Sequence, residues 1–227
     1  MSLSYRPFEH AGTSDVRLRD LRRADAHDAA RLHCALLPHG LFTRLGSPFL
    51  AAYYRTFADS PHAVARVAVV DGDVAGVLVG ALDTRAHYRW VLRHRGPGLA
   101  ARGGAALTVR PGELWRFSRT RLVPYTRSMR RLAKQRAPGG AAAVAGPVAD
   151  LTHVVVAGWA QGRGVGRQLV TDFEEKACHA GSTFAQLLTL SGDAGAGGFY
   201  LHHGWQFGGG SSNMDGEQFD RYTRRLR

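Results

Sequence analysis

Residues 150–170 read DLTHVVVAGWAQGRGVGRQLV, and the order of residue types in this stretch decides the fold. Asp150 to Val156 is rich in β-branched residues and reads as a strand. Residues 164–180 then place Val165, Leu169, Val170, Phe173 and Ala177 on one side, the spacing of an amphipathic helix, and Gly181 stands ready to end it. Between strand and helix lies Gln161-Gly162-Arg163-Gly164-Val165-Gly166. Glycines let the main chain approach an anion closely. The first amides of the helix have no internal partner, so they point with the positive end of the helix dipole at whatever phosphate sits there. Arg163 and Arg167 add charge. The spacing is neither G-x-G-x-x-G nor a P-loop, because no Lys-Ser/Thr follows, so alone it is a generic anion cradle or a tight turn.

Outward from this stretch, the rest of the chain alternates strands and helices. Val16 to Leu21 reads as a short strand and Ala24 to Leu37 as a helix, ended by Pro38 and Gly40. A second helix is predicted from Ser47, as N-cap, with Pro48 at the first position, to Phe57. Ala65 to Val70 and Val74 to Leu82 are β-rich runs joined by Asp71-Gly72-Asp73, a hairpin signal. Downstream, Phe184 to Leu190 reads as a strand, Ala194 to His203 as a short helix, Trp205 onward as strand, and Phe219 to Leu226 as the last strand. This order predicts an α/β fold with a mixed central sheet of about six or seven strands flanked by helices.

With both ends of the anion loop in place, a resemblance becomes specific. Gln161 to Gly166 resembles the Q/R-x-x-G-x-G/A acyl-CoA motif of the GCN5-related N-acetyltransferases, the GNAT superfamily. A second stretch, Asp193-Ala194-Gly195-Ala196-Gly197-Gly198-Phe199-Tyr200 followed by Gly204-Trp205, is similar to that family's N-x-x-A-x-x-F-Y…G-F segment. The resemblance covers about Val16 to Leu226 apart from an insert. It implies the GNAT fold, acetyl-CoA as co-substrate and no metal. It further implies that Val154, Val155 and Val156 line the pantetheine arm, that Gln161, Gly162, Arg163, Gly164, Val165, Gly166 and Arg167 hold the phosphates, and that Asp193, Phe199 and Tyr200 complete the cofactor site. Tyr200 occupies the place of a tyrosine that protonates the departing thiolate. Two positions depart from the pattern: Asp193 stands where Asn is usual, and Gly158-Trp159 replaces a frequent Pro-acidic pair.

Attack on a thioester needs a neutral amine, so a base must accept a proton directly or through water. Asp150 and His153 are the candidates on the strand before the loop, Asp150 by its match to a strand carboxylate of the family, His153 by its ordinary pKa near 6.5. Alternation puts them on opposite faces unless a bulge intervenes. On the acceptor side the family's geometry points to the loop carrying His39 and Phe42 and to Tyr54 in the Tyr53-Tyr54 pair, for which core packing is the competing reading. The expected reaction is transfer of an acetyl group to a primary amine of a small molecule by direct attack in a ternary complex. A non-catalytic CoA-binding protein is the alternative.

The net charge of +12 is unevenly spread. Between Thr84 and Ala137 there are fourteen Arg or Lys residues and one acid, Glu113, while the remainder holds sixteen bases and seventeen acids. A near-neutral single domain over residues 1–227 is therefore expected to carry a basic helical insertion and linker at residues 84–147, between the third and fourth strands. Tyr88 to Arg95 and Leu114 to Arg136 read as helices, broken at Gly96-Pro97-Gly98, Pro111-Gly112 and Pro124. Three readings stay open: a lid attracting an acidic acceptor or carrier protein, a dock for nucleic acid or anionic membrane, or a solvated arm packing on the core or a second subunit. No aromatic platform is interleaved with the charge, which counts against nucleic acid. Cys34 and Cys178 give no metal spacing or disulfide framework and read as buried small residues. No run approaches the roughly 20 apolar residues of a membrane span, and the first fifteen residues lack a signal-peptide core. The expectation is a cytoplasmic monomer or homodimer.

Overall fold

The structure is a computed structural model that describes residues 16–37, 41–108, 147–192, 195–213 and 216–227. A seven-stranded sheet forms its centre, in the order β1-β2-β3-β4-β5-β7-β6. The strands are β1 (Arg17–Asp20), β2 (Ala63–Val70), β3 (Asp73–Ala81), β4 (Val148–Val156), β5 (Phe184–Leu190), β6 (Gln206–Ser212) and β7 (Gln218–Arg225). All neighbours pair antiparallel except β4 and β5. The β2–β3 hairpin closes through Asp71 and Gly72, both at positive φ (54° and 93°), the conformation a two-residue turn needs to match strand twist.

Helices cover both faces. On one lie α1 (Ala26–Leu36) and α3 (Ser47–Asp59), whose Ala26, Ala29, Ala30, Leu50, Tyr54 and Phe57 bury against Val67, Val77 and Val79 of the sheet. A single turn, α2 (Leu41–Arg44), joins them. On the other lies α6 (Val165–His179), where Val165, Leu169, Val170, Phe173 and Ala177 pack on Ala75, Leu78 and Leu151. The alternating small and branched residues of β2 and β3 feed both cores, as expected for strands buried on both faces.

Four helices differ at their ends from the sequence reading. Gly46, at φ 92°, takes the N-cap of α3, so Ser47 is already helical and Pro48 sits inside the first turn. The predicted helix at Tyr88 to Arg95 begins earlier, as α4 (Thr84–His94), because the Asp83 carboxylate accepts from Ala86 N at 3.0 Å. Gly96-Pro97-Gly98 does not end helical structure; it forms the first turn of α5 (Gly96–Thr108), where a proline's missing donor goes unneeded. The last helix, α7 (Gly197–His202), is shorter than predicted. The expected helix at Leu114 to Arg136 and the linker after it lie outside the described residues, so α4 and α5 are what is seen between β3 and β4. Cys34 and Cys178 are half-buried rather than fully buried and are not joined in a disulfide.

Gly80 sets how closely α6 approaches the sheet. A Cβ there would lie 2.5 Å from Phe173 Cε2 and 3.0 Å from the Asp150 carbonyl oxygen. Overpacking of this kind costs about 1–3 kcal/mol. We expect Gly80→Ala to lower the unfolding free energy by that amount, seen as a lower denaturant midpoint at unchanged slope in equilibrium unfolding.

Candidate active site

The site is organised by what β4 does after Asp150. Along β3 it stays paired from Ala81↔Asp150 to Gly76↔Val156. Along β5 the parallel pairing covers three positions and stops at Asp150↔Gln186, although β5 continues to Leu190. From Leu151 to Val156 the β5-facing edge of β4 therefore carries no ladder, and a wedge opens between two strand edges. Unpaired backbone groups at such an edge accept another extended chain.

The register slips where the wedge begins. Gly80 pairs with Leu151 and Val79 with His153, so Thr152 is an extra residue, a bulge. A bulge bends its strand and raises the local twist, turning β4 away from β5. It also resets the alternation, so Asp150, opposite Ala81, and His153, opposite Val79, both lie on the α1–α3 face. The exception allowed for in the sequence reading is thus the case observed.

On that face a polar cluster forms. The His153 ring meets His33 of α1 edge-on, with centroids 4.7 Å apart, and lies 6.2 Å from Tyr53 and 6.3 Å from Tyr54. His33 Nδ1 shares a 2.7 Å hydrogen bond with the Tyr54 hydroxyl. Desolvation pushes His33 down to about 4, and His153, with His33 beside it, to about 3. Both rings are therefore neutral near pH 7, and His153 Nε2 is buried without a hydrogen-bond partner. Burial acts oppositely on Asp150, raising its pKa against the lowering effect of hydrogen bonds from Thr152 and Gln186. Tyr88, at the second turn of α4, bonds the Tyr53 hydroxyl nearby, and Thr84 Oγ1 ties the start of α4 to the Val148 carbonyl at 2.9 Å.

The glycine loop lies at the far end of the wedge. Gly162 and Gly164 adopt φ of 75° and 79°, and a Cβ on either would meet nothing within 4 Å, so the space above the loop is open. Gly164 is the N-cap of α6 and offers no side-chain acceptor. The Gln161 side chain does not reach outward; its Nε2 donates to the Val156 carbonyl at 3.2 Å and so braces the loop against the strand. The Arg163 guanidinium lies 6.0 Å from the exposed Trp159 ring, and Arg167 is exposed. These features fit a chain bearing amides along the wedge and a pyrophosphate at its end, which is the shape of an acyl-CoA. Among the described residues no group of three or more His, Cys, Asp or Glu could hold a metal.

The second motif reaches the first through Phe199, whose ring lies 3.5 Å from where a Gly166 Cβ would stand. Tyr200 is buried beside Trp205 (5.8 Å) and Tyr222 (6.0 Å). Desolvation raises its hydroxyl to about 12, so it carries its proton throughout the physiological range. Val154 and Val156 are half-buried on the α6 face, and Val155 is buried on the other. Of the acceptor-side residues, Phe42 stacks on Tyr53 at 4.4 Å, while Tyr54 is fully buried and meets the cluster through His33, in keeping with core packing. His39 and Asp193 lie outside the described residues. His33 and Tyr88 were not singled out from the sequence. His33 carried one faint signal, a polar residue on the apolar face of an amphipathic helix, whereas Tyr88 sat in a segment read for its charge.

Comparison with known proteins bears on the fold that carries this geometry. The sequence model of the acetyltransferase (GNAT) family matches residues 124–205. No curated protein matches the chain. Among solved structures, Ard1 from Thermoplasma volcanium is similar at 13% identity over 93% of this chain and 98% of that one, with a TM-score of 0.57. Aminoglycoside 6′-acetyltransferase type Ii is similar at 13% identity over 93% and 97%, TM-score 0.54. The ribosomal-protein-S18-alanine N-acetyltransferase from Escherichia coli is similar at 10% identity over 93% and 94%, TM-score 0.54. At such identities the likeness is one of fold.

Two depressed histidines next to the wedge give the fold a pH signature. Above about pH 6.5 both are neutral in the folded and unfolded chain. As pH falls toward 4 the unfolded chain takes up protons that His33 and His153 refuse in the fold, so their contribution to stability is lost across that window. Asp150 and Glu174, raised by burial, work the other way. The histidine effect is isolated by comparing His153→Gln with the parent: the parent's stability relative to the variant is expected to shrink between pH 6.5 and 4, read from urea midpoints. A difference independent of pH would mean that His153 titrates alike in both states.

Proposed function

We propose that this chain, a member of the GNAT superfamily, is an N-acetyltransferase that moves an acetyl group from acetyl-CoA to a primary amine of a small molecule by direct attack in a ternary complex. Superfamily membership carries acyl transfer in general. The observation supporting the finer reading is the wedge between β4 and β5, with an open glycine loop at one end and a polar cluster on the sheet face beside it.

Acetyl-CoA would supply the activated acyl group. The free edge of Leu151 to Val156 would hold its amide-bearing arm, and the amides of Val165, Gly166 and Arg167 its pyrophosphate. Arg163 and Arg167 would add charge at the loop. Asp150 is the stronger candidate for general base. Its raised pKa brings a carboxylate toward the working range, whereas His153, held down to about 3, is too weakly basic to keep an amine's proton. In this reading His153 and His33 shape the acceptor side, with Phe42 and Tyr53 forming its apolar wall. Tyr200, protonated up to about 12, would donate its phenolic proton to the departing thiolate.

The test is thiol release from acetyl-CoA across a panel of primary amines, amino sugars and nucleotide amino sugars included. Tyr200→Phe is expected to lower kcat by on the order of 10², the lower end of what a positioned general acid contributes, with CoA affinity unchanged; unchanged turnover would remove Tyr200 from the mechanism. Asp150→Asn is expected to abolish the acid limb of the kcat/KM profile that His153→Gln retains. Acetyl-CoA binding with no thiol release on any amine would leave a CoA-binding module in place of an enzyme.

A further inference from the structure

Away from the wedge, a cavity of about 250 Å³ opens between α3 and the α4–α5 junction. Among the described residues, Arg23, Arg55, Arg95, Arg102 and His94 line it, together with one acid, Asp59. Asp59 is already shared by two of the arginines, 2.7 Å from Arg95 and 3.3 Å from Arg23. Four guanidinium groups against one carboxylate leave an excess of three positive charges around a space too small for a protein segment of any length.

Arg55 sharpens the point. It stands on the face of α3 turned away from Tyr54 and Phe57, its Nε is buried without a hydrogen-bond acceptor, and no ion pair reaches it among the described residues. A buried cationic donor left unsatisfied is costly unless something supplies the acceptor. The neighbouring sequence has little to offer, since Glu113 is the only acid between Thr84 and Ala137. Like charges gathered around a concavity, one of them with a buried N–H that lacks an acceptor, are the arrangement that a multiply charged anion satisfies, and guanidinium forks match phosphate oxygens in geometry.

We propose that this cavity binds a small polyanion bearing a phosphate or diphosphate group, with Arg55 as the central donor and Arg23, Arg95 and Arg102 around it. The site is separate from the glycine loop: none of its lining residues belongs to β4, β5 or the turn before α6. It stands whether or not the chain transfers acyl groups. A cavity rather than a flat or convex basic surface favours a small ligand over a nucleic acid.

The probe is inorganic pyrophosphate, titrated calorimetrically into the full chain and four variants. Loss of one charge-assisted hydrogen bond, about 1.5–3 kcal/mol, corresponds to about tenfold or more in affinity. Arg55→Gln is expected to weaken one binding event by at least that factor, and Arg102→Gln, an exposed position on α5 that leaves the fold intact, to weaken the same event. Arg167→Gln, at the glycine loop, and Arg85→Gln, exposed on α4 outside the cavity, are expected to leave it unchanged. The proposal is overturned if Arg55→Gln, folded by its thermal transition, and Arg102→Gln bind as the parent does, or if all four variants weaken binding alike. It also falls if only Arg167→Gln weakens binding, or if an oligonucleotide binds tightly and pyrophosphate fails to displace it.

Discussion

The rest of the structure depends on one constraint: β4 remains paired with β3 from Asp150 to Val156 while it parts from β5 after Asp150. A sheet strand ordinarily satisfies both edges, and leaving one bare is tolerable only where solvent or a ligand can supply partners. The extra residue at Thr152 makes the parting possible, because a bulge adds bend and twist without breaking the β3 ladder beyond it. Gly80, directly across from Leu151, lets Phe173 press on the sheet at that same level. The opening of the wedge and the anchoring of α6 are thus set within one pair of neighbouring residues.

The bulge has a chemical consequence as well as a mechanical one. By bringing Asp150 and His153 to the same face it gathers a carboxyl group, two histidines and three tyrosines under α1, α3 and α4. Desolvation then pulls acids and bases in opposite directions: the Asp150 carboxyl and the Tyr53 and Tyr54 phenols rise, the His33 and His153 imidazoles fall. All of these groups are driven toward their neutral forms, which is the cheapest way to keep several ionisable side chains in a space of low polarity. A neutral amine is the species that such surroundings favour, and it is also the species that attacks a thioester.

The charge of the molecule follows a different logic. On the α3–α5 side arginines outnumber carboxylates, and Asp59 serves two of them at once. Elsewhere ion pairs tie one element to another, as in Arg19 with Asp25 (2.5 Å) and Arg66 with both Asp20 and Asp172 (2.5 and 2.9 Å). The contrast is between charges that hold elements together and charges held around a space. Exposed pairs of the first kind contribute little to stability, so the excess on the second side is better understood through what it can attract.

How much of this was legible in the chain itself can be said residue by residue. The β-branched run before the glycine loop, the stripe of Val165, Leu169, Val170 and Phe173, and Asp71-Gly72 in the hairpin determined the order and type of the elements, because these signals act over a few neighbouring residues. Tyr200 and the loop, as a pair, carried the resemblance to the GNAT superfamily. The caps were less legible: Gly46 rather than Ser47 begins α3, since the choice turns on how the preceding turn enters the helix. Only the tertiary structure decided that Asp150 and His153 share a face, that His33 stands beside His153, that Tyr88 reaches Tyr53, and that Arg55 opens onto a cavity. Each of these is a relation between elements distant in the chain. The register slip at Thr152 belongs to the pairing of β4 with β3, and no property of residues 150–153 taken alone records it.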